Sequence, residues 1–386
     1  MYLFLITFLM LYGGMHAYAF FRVSRAFSLQ FPLTVLLISW LLFMTIAPLL
    51  VRLFEGAGLD KPAQWVAWPA YVWMGFLFIF CTALASADAL RCAVWLISRF
   101  FTSTHPGYVT ASGTCITALA LTVLVSIYAL YEARKIRSEH LTVTTAKRPP
   151  SSPPIRIVQI SDVHLGLLFG ESRLESILQT VRAAAPDILV STGDLVDGRL
   201  SRENIDSRMG RMADILQAVP ARIGKFAVNG NHEYYAGVEQ SLDFTRKAGF
   251  TVLSNQSITL PAGISISGID DPAGMRQGIS KGMTSETVLL QSGPAQNFRL
   301  LLKHRPIISA TSDGLFDLQL SGHVHNGQIF PFNLLVRLKF PIPCGTTATQ
   351  RNSLIHVSRG SGTWGPPMRL LAPPEVTIID IVSDHR

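Results

Sequence analysis

Charged residues are scarce in this chain. Only 15% of its 386 residues are Asp, Glu, Lys or Arg, whereas 49% are hydrophobic. This balance is too apolar for a protein that is dissolved in water along its whole length, so part of the chain is predicted to lie in lipid. Cysteine is scarce as well, and three of the four cysteines, Cys81, Cys92 and Cys115, lie in or beside apolar stretches. No disulfide framework is therefore predicted.

The apolar residues are concentrated before Pro149. A helix of roughly 18 to 20 apolar residues spans a bilayer, and four stretches approach or exceed that length, at 2–21, 31–51, 64–87 and 108–131. Residues 1–138 are therefore predicted to form an all-α transmembrane domain with about four helices. The shorter apolar segment 91–101 is predicted to be an interfacial helix or an extension of the third span.

The excess of positive charge also belongs to the first part of the chain. Residues 1–150 hold 11 Lys and Arg against 5 Asp and Glu, and the remainder holds 22 against 20. A basic cluster follows the last apolar stretch and either contacts anionic headgroups or forms a solvated linker. It consists of Arg134, Lys135, Arg137, Lys147 and Arg148. With four spans, the more basic side is the side of the C-terminal part, which is therefore predicted to be cytoplasmic.

The chain changes character between residues 139 and 154. This segment turns polar and then proline-rich, which predicts a stiff, extended linker. A soluble domain is predicted over residues 155–386, where short β-rich runs alternate with helical patterns as in a layered α/β fold. The predicted strands are 155–160, 187–190, 224–228, 265–268, 300–303, 317–320, 354–357 and 376–381, and the predicted helices are 172–185, 204–219 and 239–248.

Metal-binding side chains follow five of these predicted strands. Because ligands gather beyond the carboxyl ends of strands in open α/β sheets, these side chains are expected to converge. Imidazole, carboxylate and amide oxygen together suit Mn, Fe or Zn. A single Asp or His in such a place is more often a helix cap or a core residue, but recurrence at five strand ends predicts a metal site. The series is Asp162, His164, Asp194, Asn231, His232, His304, His323 and His325.

This series resembles the motifs of the calcineurin-like metallophosphoesterases over nearly all of residues 155–386. Their pattern runs Asp-x-His, Gly-Asp, Gly-Asn-His-Asp/Glu, a lone His, and Gly-His-x-His. The resemblance implies a four-layer αββα sandwich. The closing segment 358–369 is similar to a membrane-associated bacterial branch that includes the lipid A pathway UDP-2,3-diacylglucosamine pyrophosphatases. Val324 and Asn326 stand where many members have Thr and Gly, and Lys303 where Ser is frequent, which leaves the substrate preference open.

The resemblance also implies roles for single residues. Asp162, His164 and His325 would bind one divalent metal, and Asn231, His304 and His323 a second. Asp194 would bridge the two, and His232 would act on the leaving group. Asp197 and Glu233 would orient these residues. Arg305, Arg359 and Arg369 could meet a substrate phosphate or form ion pairs at the surface.

The expected function is hydrolysis of a phosphoester or pyrophosphate bond, with two divalent ions, in a lipid or lipid-linked substrate. Membrane lipids are the expected partners, and the expected location is a bacterial inner membrane with the catalytic domain in the cytoplasm. One alternative is a nucleotide or nucleic-acid phosphodiesterase, but no nucleic-acid partner is expected because the soluble part is nearly neutral. A non-catalytic membrane adaptor is the other alternative.

Overall fold

The computed structural model of the chain describes residues 2–101, 110–198, 208–261, 263–279 and 285–384. The chain divides into two compact units, Met1–Tyr131 with Gly365–Met368, and Glu132–Trp364 with Arg369–Arg386. The start of the predicted span 108–131 and the start of the predicted helix 204–219 lie outside the described residues.

Four helices make up most of the first unit. They are α1 (Tyr2–Phe27), α2 (Phe31–Gly56), α3 (Asp60–Phe101) and α4 (Ala111–Glu132). Within the described residues, α2, α3 and α4 are long and apolar enough to cross a membrane. The helix α1 forms as well but is not one of those three, and the number of spans stays a prediction. The segment 91–101 continues α3. This is the second of its two predicted alternatives, an extension of the third apolar stretch.

Polar side chains of the first unit pair with one another. Tyr18 donates a hydrogen bond to Asp88 over 2.8 Å, and Arg22 forms an ion pair with the same carboxylate. Nε1 of Trp73 lies 3.0 Å from Nε2 of His16. Such pairing is expected in an apolar medium, because an unpaired polar group in hydrocarbon costs on the order of 2 to 7 kcal/mol.

The second unit contains two six-stranded sheets. The first sheet has the order β1-β12-β2-β3-β4-β5 and the second has the order β10-β11-β9-β8-β7-β6. The strands are β1 (Arg137–Thr145), β2 (Ile155–Ile160), β3 (Ile188–Ser191), β4 (Gly224–Ala227), β5 (Thr251–Val252), β6 (Gln256–Leu260), β7 (Ile264–Ile269), β8 (Phe298–Lys303), β9 (Leu318–Ser321), β10 (Gly345–Ala348), β11 (Leu354–Val357) and β12 (Glu375–Ser383).

Helices cover both outer faces of this pair of sheets. The helices are α5 (Glu171–Ala184), α6 (Arg208–Gln217), α7 (Asn231–Ala236), α8 (Val238–Lys247), α9 (Ala273–Arg276), α10 (Glu286–Gln291) and α11 (Phe332–Lys339). Leu174 and Ile177 of α5 pack with Val158 of the first sheet, and Leu290 of α10 packs with Leu301 of the second.

The main core lies between the two sheets. It brings Ile157 and Ile188 of the first sheet against Leu300 and Leu318 of the second, all fully buried. Strands buried on both faces need continuous apolar runs, and the sequence has short apolar runs at these strands. The order of layers is therefore helix, sheet, sheet, helix, and the predicted αββα sandwich is confirmed.

The predicted linker 139–154 is wrong in its first half. Residues 137–145 form β1, which pairs in parallel with β12 along its whole length. The segment looked like a linker because polar residues predominate, yet Leu141 and Val143 alternate with them and face the core between the sheets. After β1 the chain folds back, and Arg148 donates to the carbonyl oxygen of Pro153 over 2.6 Å. The second unit therefore begins before residue 155.

Two of the five residues of the predicted basic cluster form contacts within the α/β unit. Arg148 is buried, and Nζ of Lys147 lies 2.7 Å from the Asp317 carboxylate. These two cations are engaged by the α/β unit itself. Arg134, Lys135 and Arg137 remain exposed, so they are the members of the cluster that could meet anionic headgroups.

Candidate metal centre

The loops that follow β2 and β3 carry three of the predicted metal ligands. The backbone N–H of Asp162 donates to Gly193, and that of His164 donates to Asp194, each over 3.0 Å. These bonds join the two loops directly beyond the strand ends. The first sheet thus directs the carboxyl ends of these two parallel strands towards one place, as parallel neighbouring strands require.

Backbone strain accompanies this convergence. Five of the seven predicted metal ligands have positive φ angles, between 48° and 74°. For residues other than glycine, such conformations each cost about 1 to 3 kcal/mol and persist only where the surroundings impose them. They are Asp162, His164, Asp194, His323 and His325. The fold therefore bends the backbone to point these side chains inward.

One group of ligands is formed by Asp162, His164 and His325. Their donor atoms lie within 4.8 Å of one another, and all three residues are buried. Nε2 of His164 lies 3.1 Å from Nε2 of His325, which lies 3.5 Å from Oδ1 of Asp162. Donors about 2.1 Å from a metal ion are about 3.0 to 3.4 Å from one another, so these distances fit a shared cation.

A second group surrounds His304. Its Nε2 lies 3.2 Å from Nδ1 of His323, 3.2 Å from Oδ1 of Asn231 and 3.2 Å from Oδ2 of Asp194. Nδ1 of His304 lies 2.8 Å from the carbonyl oxygen of Thr192. A proton on Nδ1 donates to that carbonyl and leaves Nε2 free to bind a cation.

Asp194 lies between the two groups. Its Oδ2 is 3.2 Å from Nε2 of His304 and 3.9 Å from Nε2 of His164. Its Oδ1 accepts a hydrogen bond from the backbone N–H of His232 over 2.9 Å. The seven residues predicted to bind metal are thus brought together, with Asp194 next to both sets.

Glycines make room for the two central carboxylates. A Cβ on Gly230 would overlap Oδ1 of Asp194, and one on Gly322 would overlap Oδ2 of Asp162. The glycines in the motifs Gly-Asn-His and Gly-His-x-His are therefore required by close approach of ligand side chains.

Two further acidic side chains, Glu233 and Asp197, form hydrogen bonds within this centre. The carboxylate of Glu233 accepts hydrogen bonds from the backbone N–H groups of Asp194, Leu195 and Gly230, over 3.0, 2.7 and 2.7 Å. Oδ1 of Asp197 lies 2.9 Å from Nδ1 of His232. His164, Asp197 and His232 form a third, overlapping group of possible metal donors.

The buried charges of the centre repel each other. Burial, followed by the influence of Asp194, raises the pKa of Glu233 to about 7, and burial raises the pKa of Asp162 to about 6. The pKa of Asp194 is held well below its usual range, because nearby histidines outweigh the effect of its burial. Divalent cations would neutralise this cluster of carboxylates, so the donor set fits such ions.

The histidines divide into protonated and neutral groups. Burial opposes protonation of His304 and His232, but the nearby carboxylates, with Asp194 foremost, together outweigh it and raise their pKa values to about 10 and about 9. Burial lowers the pKa of His164 to about 4 and that of His323 to about 2. Burial, followed by Arg369, holds the pKa of His325 far below its ordinary value. The neutral rings are ready to bind a cation, and His304 would release a proton in doing so.

The three arginines predicted to meet a substrate phosphate already have partners. Arg305 makes two hydrogen bonds to Asp271, over 2.6 and 3.0 Å. Arg359 pairs with Glu375 over 2.6 Å and also with Glu139. Both would have to exchange these partners in order to bind substrate, and their predicted role stays a prediction.

Arg369 is the most enclosed of the three. It is fully buried and donates to the carbonyl oxygens of Arg359, Ala372 and Gly362, and to Nδ1 of the ligand His325. A guanidinium with these partners holds the backbone around His325, so contact with substrate remains only a prediction for this residue.

Sequence reasoning missed two aromatic neighbours of His232. The ring of Tyr235 lies 5.5 Å from the imidazole, and the ring of Trp364 lies 5.7 Å from it, both measured between centroids. Their exposed fractions are 61% and 46%. Tyr235 is three residues from His232 and could have been noticed, whereas only the fold brings Trp364 to this place.

Comparisons with known proteins agree with this geometry. Residues 155–327 match the model of the calcineurin-like phosphoesterase family. The chain is 40% identical over 262 residues to an uncharacterised metallophosphoesterase of Aquifex aeolicus, covering 68% of this chain and 97% of that protein. It is 30% identical over 340 residues to a transmembrane protein with a metallophosphoesterase domain from Danio rerio, covering 83% of this chain and 74% of that protein.

Proposed function

Since the chain belongs to the calcineurin-like metallophosphoesterases, we propose that it is a membrane-anchored hydrolase that uses two divalent metal ions. The bond is a phosphoester or pyrophosphate, and the substrate is a lipid or a lipid-linked molecule. The observation that carries the proposal is the convergence of seven possible metal donors, with Asp194 at their centre, from five separate segments.

The residues of the centre have separate tasks. Asp162, His164 and His325 would hold one ion, Asn231, His304 and His323 would hold the other, and Asp194 lies next to both sets. Bound divalent ions, with Mn, Fe and Zn all suited to these donors, supply Lewis acidity that activates water and stabilises charge on phosphoryl oxygens. Glu233 holds the Asp194 loop in place through its backbone hydrogen bonds.

His232 is the proposed proton donor. Asp197 binds its Nδ1 over 2.9 Å, which leaves Nε2 to face the substrate. The carboxylates nearby raise its pKa to about 9, against the effect of burial. In its protonated form the ring can give a proton to the departing oxygen.

The membrane helices support the lipid part of the proposal. In the part of the chain that the structure describes, three helices are long and apolar enough to cross a bilayer, and the relative from Danio rerio is named as a transmembrane protein. A substrate in the same membrane reaches a tethered enzyme by diffusion in two dimensions. A nucleotide ester is the second candidate, because the exposed rings of Tyr235 and Trp364 beside His232 could stack on a base.

The test uses the full-length protein in vesicles with three substrates. They are bis-p-nitrophenyl phosphate, a nucleotide phosphodiester in solution, and a phosphorylated lipid mixed into the same vesicles. We expect turnover of the lipid ester to exceed that of the nucleotide. Removal of metal with a chelator should abolish all turnover, and Mn or Zn should restore it.

Empty vesicles and vesicles with the chelated protein serve as controls. Preference for the nucleotide would favour the second candidate. Chelator-resistant turnover, or no turnover and no bound metal, would contradict the metal-dependent reaction and favour the adaptor.

The α/β unit is proposed to face the cytoplasm of a bacterial cell. The basic residues after α4 support this orientation, because Lys and Arg accumulate on the cytoplasmic side. An alkaline phosphatase reporter fused after Arg386 should stay inactive in a bacterial host, whereas a fluorescent protein fused there should fold. Strong phosphatase activity of the fusion would reverse the proposed orientation.

A further inference from the structure

The helix α11 exposes apolar side chains to an unusual degree. None of its eight residues is buried. Leu334, Leu335 and Leu338 have exposed fractions of 53%, 59% and 84%. The helix α5 of the same unit does the opposite and buries its leucines, including Leu174 and Leu178. An exposed apolar patch of this kind marks a surface that contacts another body.

The three leucines form one stripe. At 100° per residue they fall within about 100° of the helix circumference, and Arg337 and Lys339 flank them on either side. Both cations are exposed. Leucines bounded by long basic side chains are the pattern of a helix that lies in a membrane interface, where the charged ends reach the headgroups.

The opposite side of α11 is attached to the unit. Val336 packs with the buried residues Val324 and Phe340. The glycine Gly327, which ends the segment of His325, has no room for a Cβ because the backbone of Asn333 lies against it. The three leucines therefore lie on the outer face of α11, and the opposite face of the helix packs against the α/β unit.

The positive charge of the sequence around α11 indicates an anionic partner. The sequence contains no Asp or Glu between Asp317 and Glu375, a stretch with five Lys and Arg. The exposed cations beside the leucine stripe, Arg337 and Lys339, are complementary to an anionic layer, and each basic residue near anionic lipid contributes about a fivefold change in partitioning. The described part of the chain also carries three helices long and apolar enough to span a membrane, which would keep the protein at a lipid surface.

We propose that α11 is a membrane-contacting helix that inserts Leu334, Leu335 and Leu338 into the interface of an anionic bilayer. The helix adjoins the metal centre at both ends. It follows the segment that carries His325, and the ring of Phe340 lies 5.4 Å from that of His323. The proposal concerns the contact with lipid and stands whether or not the substrate is a lipid.

The test places a spin label on the stripe of the full-length protein in vesicles. The variants are Leu338→Cys and, as the control, Asp243→Cys on α8, whose side chain is 72% exposed. Both carry Cys92→Ser and Cys344→Ser, which remove the two cysteines that are not buried. In vesicles with phosphatidylglycerol, the label at 338 should lose access to a water-soluble nickel chelate and keep access to oxygen. The label at 243 should stay accessible to nickel.

The charge requirement is tested in the same way. The double variant Arg337→Gln and Lys339→Gln, or vesicles of pure phosphatidylcholine, should return nickel access to position 338. Unchanged thermal unfolding would show that the variants are folded. Nickel access at 338 in anionic vesicles would overturn the proposal, and so would protection from both reagents, which indicates a protein partner. Equal insertion into neutral vesicles would overturn the role of charge.

Discussion

Replacing Asp194 by asparagine is expected to remove bound metal from the full-length protein and to lower turnover by at least about 10³-fold. The change keeps the size of the side chain and an acceptor for the N–H of His232. It removes the negative charge that lies 3.2 Å from Nε2 of His304 and 3.9 Å from that of His164.

The physical reason is repulsion between the ions. Two divalent cations at the separation usual for such pairs, about 3.5 to 4 Å, repel by on the order of 15 to 20 kcal/mol at an effective dielectric constant of about 20. Of the described acidic side chains, Asp194 is the one next to both ligand groups. Without its charge the pair of ions should be lost together.

Asp187→Asn is the matched control. Asp187 precedes β3 and pairs with Arg222, whereas Asp194 follows the same strand. The two aspartates thus lie at opposite ends of one strand. Metal content by mass spectrometry and hydrolysis of bis-p-nitrophenyl phosphate are the measurements. Full metal content and turnover in Asp194→Asn would contradict the shared-ligand role.

His232→Ala is expected to lower turnover by about 10² to 10⁴-fold for esters with poor leaving groups, while metal content stays unchanged. The loss should be much smaller for a p-nitrophenyl ester, because p-nitrophenolate departs without a proton. The exposed His140 on β1 offers the control His140→Ala.

The dependence on leaving group separates catalysis from structure. A histidine that merely supports the fold would slow all esters equally, or would reduce the metal content. Rates for an alkyl and a p-nitrophenyl ester, measured with metal-replete protein, therefore decide between the roles. Equal losses for both esters would contradict proton donation by His232.

The inner strands of the α/β unit were predicted from the sequence, and its edge strands were not. Every predicted strand corresponds to an inner strand, from β2 to β12, within one or two residues. The four missed strands are β1, β5, β6 and β10, and these are the four edges of the two sheets. Inner strands are buried on both faces and need apolar runs, whereas an edge strand faces solvent and is held by its single neighbour.

The candidate site follows a similar division. Residue type and position after strands predicted a series of eight polar residues, and the resemblance to the family implied that seven of them bind metal; the structure brings those seven side chains together. The distances could not be predicted, because they depend on positive φ angles and on glycines that face carboxylates across the fold. The burial of Arg369 and the position of Trp364 beside His232 likewise arise from long-range packing.

The sequence by itself determined the chemistry of this protein. Apolar runs long enough for a bilayer, and Asp, Asn and His after successive strands, are local patterns that the covalent chain carries before it folds. Tertiary structure decided which atoms meet: the position of Asp194 between two groups of donors, the use of three arginines as partners of the protein itself, and the exposure of the leucines on α11. Such outcomes depend on contacts between residues distant in the chain, where burial and close packing select among many locally acceptable conformations.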